Sequence, residues 1–403
     1  MGERIEWVLN TMPKSDDSWL QVMSEENVTA ARSFHRSFPQ YSVTPLVPLD
    51  GMAGRLGLGG LYVKDESYRF GLNAFKVLGG SFAMGRYVAQ QTGKPISEVD
   101  YTYLTSDELA HDFGQATFFT ATDGNHGRGV AWAANKLHQK AVVHMPKGST
   151  ATRRDNIARE GATVTIEELN YDDCVRLAAA EAAETEHGVV IQDTAWDGYE
   201  EIPSWIMQGY GTMSSEAAEQ LRALGVERPT HVFVQAGVGS LAGSVVGYLS
   251  NLYAPDPPTF VVMEASTAAC LYAGALAGDG SPRCVGGDLE TIMAGLACGE
   301  PNTIGWDILR NHATAFLSVP DQVAARGMRM LAAPVRGDTQ VVSGESGAVG
   351  MGVVASIMRD PEYAELRDAL GLGPDSRVQL FSTEGDTDPE RWESIVWDGA
   401  WGM

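Results

Sequence analysis

A single lysine, Lys76, stands inside an apolar segment bracketed by glycines, from Gly71 to Ser81. Lysine is almost never fully buried without a partner, so this side chain either reaches solvent or is kept for its chemistry. A desolvated amine has a lowered pKa and can attack a carbonyl carbon to form a Schiff base. Lys76 alone does not decide between these two roles, but three loops elsewhere in the chain bear on the choice.

The first loop, Thr120–Gly127, lies between an apolar, β-branched run and a helical pattern. Backbone N–H groups at a helix N-terminus attract anions, so this loop suits a carboxylate. Asn125 can hydrogen-bond a ring hydroxyl, whereas Asp123 would repel an anion unless a cation accompanies it. Asp and Asn are also ordinary cap and turn residues, and His126 fits a structural role in the loop better than that of a base.

The second loop, Gln235–Gly243, follows a strand, and its glycines open a helix, which is the pattern of a phosphate-binding cradle. It lacks both the acidic partner of a dinucleotide site and the Walker lysine, which disfavours a nucleotide-binding protein. The third loop, Phe381–Asp386, ends the last strand. Its Ser382 or Thr383 can offer a hydroxyl to a heterocycle nitrogen, although a cap on the strand explains these residues equally well. A lysine, an anion loop, a phosphate cradle and a terminal hydroxyl are together what pyridoxal phosphate requires.

Strands alternate with helices over most of the chain, which predicts βαβ units and parallel sheets. A chain of 403 residues favours two lobes. We expect an α/β protein of two domains, each a twisted, mostly parallel sheet flanked by helices. The larger domain comprises residues 1–81 and 192–403, and the smaller, residues 82–191, is inserted between its halves. We expect the first 49 residues to form mainly an N-terminal arm, and Ser97–Asp107 to form an acidic loop.

Composition excludes several function classes. The net charge of −23, with 52 acidic and 29 basic residues, argues against nucleic-acid binding. No apolar run reaches the roughly 20 residues of a membrane span, and the N-terminus lacks the profile of a secretory signal. The cysteines form neither a metal motif nor a disulfide framework, so we expect reduced thiols, no metal and a cytoplasmic protein. A pairing of Cys270 with Cys298 or Cys284 is the less favoured alternative.

Four short strings place the chain near a known superfamily: NAFK at 73–76, DGNHG at 123–127, GVGS at 237–240 and STEGD at 382–386. They occur in this order in the fold-type II pyridoxal-phosphate enzymes, the tryptophan synthase β-like superfamily. Within it the chain resembles the diaminopropionate ammonia-lyase family, and longer matching strings cover nearly the whole sequence. Serine and threonine dehydratases usually carry Ser or Thr where this chain has Asp123, and Arg where it has Val77.

The resemblance implies a pyridoxal-phosphate enzyme that eliminates ammonia from D- and L-2,3-diaminopropionate, giving pyruvate and two ammonia. Lys76 would hold the cofactor and remove the Cα proton of the L-isomer. Asp123 would face the Cβ ammonium and serve the D-isomer, with Asp193 as a second candidate. The implied cofactor residues are Phe75, Lys76, Asn125, Gly237, Val238, Gly239, Ser240, Leu241, Ser382 and Thr383; the implied substrate residues are Thr122, Asp123, Gly124, Asn125 and His126. A homodimer is also implied. A serine or threonine dehydratase and a catalytically silent cofactor-binding protein are the alternatives.

Overall fold

The structure is a computed structural model that describes residues 4–122 and 124–402. It divides into two compact units. The first unit comprises Val43–Phe75 with the described parts of Met1–Glu25 and Met213–Met403, and the second comprises Glu26–Ser42 and Lys76–Thr212. The domain boundaries expected from the sequence, with residues 82–191 as the inserted domain, stay a prediction.

The strands and helices follow the alternation expected from the sequence. The strands are β1 (Glu6–Leu9), β2 (Leu46–Pro48), β3 (Gly60–Asp65), β4 (Thr117–Ala121), β5 (Lys140–Met145), β6 (Thr163–Ile166), β7 (Gly188–Val190), β8 (His231–Gln235), β9 (Thr259–Ala265), β10 (Ala315–Val319) and β11 (Arg377–Ser382). The α-helices are α1 (Glu25–Arg36), α2 (Asp50–Leu56), α3 (Val77–Thr92), α4 (Tyr101–Leu104), α5 (Asp107–Asp112), α6 (Asn125–Lys136), α7 (Ala151–Ala158), α8 (Tyr171–Glu184), α9 (Glu201–Ala223), α10 (Ser240–Leu252), α11 (Cys270–Ala277), α12 (Thr303–His312), α13 (Asp321–Ala332), α14 (Glu345–Arg359), α15 (Ala364–Leu370) and α16 (Pro389–Val396). Short 3-10 helices lie at Leu20–Met23, Glu66–Gly71, Ile96–Glu98, Ala294–Leu296 and Pro361–Tyr363.

The first unit is built on a sheet with the strand order β1-β10-β9-β8-β11-β3-β2. Its strands run parallel except for β1 and β2, which pair antiparallel with β10 and β3. The inner strands β8 and β10 are mostly apolar and are buried along their whole length, as expected for a parallel sheet covered on both faces. Because β8 and β11 are parallel neighbours, the loops that follow them emerge at the same edge of the sheet, where such sheets place their ligands.

The second unit contains a parallel sheet with the order β6-β5-β4-β7. The helices α6, α7 and α8 connect its strands. Phe119 on β4 packs against Ala178 and Ala182 of α8, and Val143 on β5 packs with Ala131 of α6. The expected α/β architecture with mostly parallel sheets is confirmed.

Two local expectations were wrong. The N-terminal arm contains β1, which closes one edge of the first unit's sheet, and the helix α1. The acidic segment after Ser97 is not a loop but carries α4 and α5, because Asp100 accepts a hydrogen bond from the Tyr103 N–H and Ser106 accepts one from the Leu109 N–H. Leu109 is buried, which anchors the second of these helices. Over the described ranges, no helix combines the length and apolarity needed to cross a membrane.

Candidate active site

Lys76 is the N-cap residue, directly before α3, and its backbone is already helical. Two other helices approach this first turn very closely. A Cβ atom on Gly129 of α6 would lie 2.8 Å from the Cα of Val77, and one on Gly209 of α9 would lie 2.4 Å from the carbonyl oxygen of Leu78. Any side chain at these two glycines would push the helices apart, so the glycines allow three helices to fix the backbone that carries Lys76.

The segment that leads into Lys76 is attached to the loop that follows β11. Phe75 donates its N–H to the carbonyl oxygen of Thr383 at 3.0 Å, and the Asn73 amide donates to the Asp386 carboxylate at 2.9 Å. Gly385 donates its N–H to the carbonyl oxygen of Asn73. The structure thus brings together Phe75 and Thr383, both expected from the sequence to contact the cofactor.

The Lys76 ammonium forms an ion pair with Asp193, and it is only partly shielded, since 21% of its side chain is exposed. The Tyr210 hydroxyl donates to the same oxygen, Oδ2 of Asp193, at 3.4 Å. Burial by itself would raise the pKa of Asp193, but the Lys76 charge, the His126 ring and the hydrogen bonds from Lys76 and Tyr210 together outweigh burial and hold that pKa below its usual range. Burial raises the pKa of Tyr210 well above its ordinary value, so the phenol remains a donor.

A hydrogen-bonded network centred on Gln192 holds the turn that carries Asp193. The Gln192 side-chain oxygen accepts from the Thr120 hydroxyl at 3.0 Å, and its amide nitrogen donates to the Tyr171 hydroxyl at 2.5 Å. The Tyr199 hydroxyl accepts from the Gln192 N–H and donates to the Val190 carbonyl oxygen. Sequence reasoning missed this network and Tyr210. The signal that was available is chemical, since a buried phenol requires a partner for its hydroxyl.

The anion loop opens α6. The Gly124 N–H donates to the Thr122 hydroxyl at 3.0 Å, and α6 begins at the next residue, Asn125. His126, in the first turn of α6, is buried, and its Nε2 lies 2.8 Å from the Ile191 carbonyl oxygen. Asp123 lies outside the described residues. The remaining loop residues therefore stand at the N-terminus of a helix, as an anion-binding loop requires.

The glycine loop after β8 opens α10 in the first unit. Gly239 has φ +100°, a conformation that residues with a Cβ rarely adopt, and a Cβ on Gly237 would lie 3.1 Å from the carbonyl oxygen of Gly295. Asn302 braces the loop, donating its N–H to the Val238 carbonyl oxygen and its amide to the Ser240 hydroxyl, both at 2.7 Å. The first N–H groups of a helix have no acceptor within that helix, so this rigid backbone cradle fits a phosphate.

Ser382 is the last residue of β11, and its buried hydroxyl donates to the Ser343 hydroxyl at 2.8 Å. The neighbouring Thr383 hydroxyl accepts from the Gln235 amide at 2.9 Å and donates to the Glu384 carboxylate at 2.7 Å. A hydroxyl has one hydrogen to donate and can also accept, so Ser382 can turn that hydrogen to an unprotonated ring nitrogen when the Ser343 hydroxyl donates to it in exchange.

The structure shows no disulfide at any of the four cysteines, Cys174, Cys270, Cys284 and Cys298. The thiol of Cys270 is directed at the carbonyl oxygen of Cys298, 3.9 Å away, and forms no disulfide. Burial raises the pKa of the Cys270 thiol, which keeps it protonated and unreactive. The alternative pairing of Cys270 is therefore not formed.

Comparison with known proteins agrees with this geometry. A diaminopropionate ammonia-lyase of Salmonella typhimurium (strain LT2) is 50% identical over 402 residues, which are 99% of each chain. The crystal structure of the Escherichia coli diaminopropionate ammonia lyase in complex with D-serine superposes with a TM-score of 0.90 at 45% identity, covering 99% of this chain and 98% of that one. The E. coli enzyme in complex with an aminoacrylate-pyridoxal phosphate azomethine intermediate superposes with a TM-score of 0.88 at 44% identity and the same coverage. The model of the family described as "Pyridoxal-phosphate dependent enzyme" matches residues 38–380. The chain therefore belongs to the family of pyridoxal-phosphate dependent enzymes.

Proposed function

We propose that this protein is a carbon–nitrogen lyase that uses pyridoxal phosphate to eliminate ammonia from D- and L-2,3-diaminopropionate. The observation that carries the proposal is the amine of Lys76, fixed at the start of α3 and paired with the buried Asp193. An amine in such a position can hold an aldehyde cofactor and act afterwards as a base. The Salmonella typhimurium relative, which is 50% identical, is named for this reaction.

Each contact that the cofactor needs has a candidate residue. Lys76 would hold the aldehyde carbon, the backbone of Gly237–Leu241 would hold the phosphate, and Asn125 would meet the ring hydroxyl. Ser382 would meet the ring nitrogen with a neutral hydroxyl, which leaves that nitrogen unprotonated. Bound pyridoxal phosphate supplies a sink for the electron pair left at Cα when the substrate loses its proton.

The protein's own groups handle the protons. The Lys76 amine takes the Cα proton of the L-isomer, and in a second step the electron pair left at Cα forms the Cα–Cβ double bond. The Cβ–N bond breaks at the same time, and the leaving ammonium departs as ammonia with its own three hydrogens. The enamine product then tautomerises and is hydrolysed to pyruvate and a second ammonia. The Asp193 carboxylate pairs with the Lys76 ammonium and so holds its nitrogen in place.

Asp123 is the residue that we assign to the choice of substrate. Diaminopropionate carries an ammonium where serine carries a hydroxyl, and a carboxylate in the anion loop favours that extra positive charge. We also assign to Asp123 the removal of the Cα proton of the D-isomer, from the face opposite Lys76. The binding of D-serine by the E. coli relative supports the entry of a D-amino acid into a site of this kind.

The test is a pyruvate and ammonia assay on the purified, cofactor-loaded protein with D- and L-diaminopropionate, serine and threonine. We expect two ammonia per pyruvate from both diaminopropionate isomers and much slower turnover of the hydroxy amino acids. Lys76→Ala should lose the visible absorption of the bound cofactor, and Asp123→Asn should lose turnover of the D-isomer first. Unchanged selectivity in Asp123→Ser would favour the dehydratase. An intact absorption band without pyruvate from either isomer would indicate a catalytically silent protein.

We further propose that the enzyme is a cytoplasmic homodimer, with the cofactor domain formed by residues 1–81 and 192–403. Support for the dimer comes from the family resemblance, and support for the cytoplasm from the cysteines, none of which forms a disulfide. Light scattering coupled to size-exclusion chromatography measures the first, and fractionation of the cells measures the second. A monomeric mass for the loaded enzyme would refute the dimer.

A further inference from the structure

His126 is a buried histidine with one nitrogen unused. Its Nε2 lies 2.8 Å from the Ile191 carbonyl oxygen, which is only an acceptor, so Nε2 must carry the hydrogen. In the neutral ring Nδ1 is therefore a bare lone pair. No described residue offers Nδ1 a hydrogen bond, although the ring is 97% buried. An unsatisfied buried nitrogen is costly, so its presence requires a reason.

The unused nitrogen faces the catalytic pair. Nδ1 of His126 lies 3.9 Å from Oδ2 of Asp193, the same oxygen that receives the Lys76 ammonium and the Tyr210 hydroxyl. A movement of about 1 Å would bring Nδ1 and Oδ2 to hydrogen-bond distance. One carboxylate oxygen thus stands between the amine of Lys76 and a free proton acceptor.

We propose that His126 receives, through Asp193, the proton that Lys76 must lose before its amine can bond the cofactor again. This inference rests on the proposed role of Lys76 as the cofactor lysine. In the step an N–H bond of the Lys76 ammonium breaks, the proton passes along Oδ2 of Asp193, and an N–H bond forms at Nδ1 of His126. Asp193 begins and ends ionised, and no other reactant is consumed.

The transfer leaves the charge balance of the cluster unchanged. Before it, Asp193 faces one cation, the Lys76 ammonium; after it, Asp193 faces one cation, the His126 imidazolium. Burial lowers the pKa of His126, the Asp193 carboxylate raises it and the Lys76 charge lowers it further. When Lys76 becomes neutral its opposing charge disappears, and the imidazole becomes more basic as the amine gives up its proton. The Ile191 carbonyl oxygen holds Nε2–H in both states.

The test separates the roles of the two imidazole nitrogens, Nδ1 and Nε2. His126→Gln places an amide nitrogen where Nε2 stands, so it keeps a donor for Ile191 and removes the proton acceptor. His126→Asn does the reverse and loses the bond to Ile191. His144→Gln is the matched control, because His144 is another buried histidine of the second unit, bonded to Thr165 and Glu181.

The measured quantity is the rate at which pyridoxal phosphate attaches to the cofactor-free, full-length protein, followed by its visible absorption from pH 6 to 10. Near pH 7 we expect His126→Gln to attach the cofactor about 10²-fold more slowly than the wild type. The deficit should shrink as pH rises, because Lys76 then loses its proton to solvent. His144→Gln should follow the wild-type profile.

Steady-state kinetics of the loaded enzyme provide a second readout: kcat of His126→Gln should fall at neutral pH and recover at alkaline pH, with KM unchanged. A wild-type pH profile in His126→Gln overturns the proposal. If His126→Asn attaches the cofactor slowly while His126→Gln attaches it at the wild-type rate, the proposal is also overturned, because the hydrogen bond to Ile191 would then be the only role of the ring. The proposal is likewise overturned if His126→Gln is slower than the wild type by the same factor at every pH. Failure of the wild type to attach the cofactor would refute the proposed function instead.

Discussion

Glu216→Gln should destabilise the first unit severely, because Glu216 neutralises two buried cations. It accepts from the Lys64 ammonium at 2.7 Å and from the Arg69 guanidinium at 2.9 and 2.7 Å. The side chains of Lys64, Arg69 and Glu216 are at most 1% exposed. Glu66 is the second carboxylate of this cluster and also binds Arg69.

The magnitude follows from the charge count. The cluster holds two cations and two carboxylates, so the amide substitution leaves one buried positive charge uncompensated. Removing one partner of a buried ion pair costs about 3–5 kcal/mol. For a domain of 150–250 residues, with about 2–4 °C per kcal/mol, this corresponds to a fall in Tm of about 6–20 °C. Glutamine keeps the volume of glutamate, so a cavity does not contribute to the loss.

Thermal and urea unfolding of the loaded enzyme measure this change, and Asp173→Asn is the control. Asp173 pairs with Arg176 on the surface, where both side chains are well exposed, so its loss should leave Tm nearly unchanged. A Tm of Glu216→Gln equal to that of the control would refute the reasoning. It would mean that Lys64 gives up its proton on burial at little cost, in keeping with the direction in which burial lowers its pKa.

Three further outcomes are expected. Burial raises the pKa of Glu216, but Arg69 and Lys64 outweigh burial and hold this pKa below its ordinary value of 4.5. The stability that Glu216 contributes is therefore present above pH 4.5 and is lost on further acidification. Urea unfolding measured at falling pH tests this. An alanine at position 239 must adopt φ +100° at a strain of about 1–2 kcal/mol. The dissociation constant of Gly239→Ala for pyridoxal phosphate, measured by fluorescence titration, should therefore rise about 5- to 30-fold. Gly373→Ala is the control, because its new Cβ meets only open space, and it should leave the constant unchanged. Tyr210→Phe removes one donor to Asp193 and should lower kcat about 5- to 10-fold with KM unchanged; an unaltered kcat would show that Lys76 alone orients the carboxylate.

The sequence predicted the elements that have a strong local signal. The alternation from β4 to β7 was recognisable because each strand is a short apolar run and each helix has one apolar face. β1 and β2 are only four and three residues long, which is too short for a sequence pattern to identify them, and β1 also pairs with β10 near the other end of the chain. β10 was missed although Ala315–Val319 is a short, mainly apolar run like the strands that were recognised.

The candidate site residues that lie in loops could be predicted from the sequence, whereas the contacts that depend on helix packing could not. Lys76 and the glycine loop can be recognised from the residue types that surround them in the sequence. The bond between Lys76 and Asp193 joins residues 117 positions apart, and the phenol of Tyr210 lies within a long, mostly buried helix. The unused nitrogen of His126 depends on the direction of its ring, which a sequence cannot give. These features exist only once α3, α6 and α9 are packed together.

The strand order of the first unit has a consequence for how the chain is made. β11 lies in the interior of the sheet between β8 and β3, although it is the last strand to leave the ribosome. At about 5–20 residues per second, the 317 residues from the end of β3 to the end of β11 take roughly 15–60 s to synthesise. Until β11 is made, β3 and later β8 each have an edge of unpaired backbone N–H and C=O groups, which is a template for aggregation. A chain that ends before residue 377 would lack the strand that joins the two parts of this sheet.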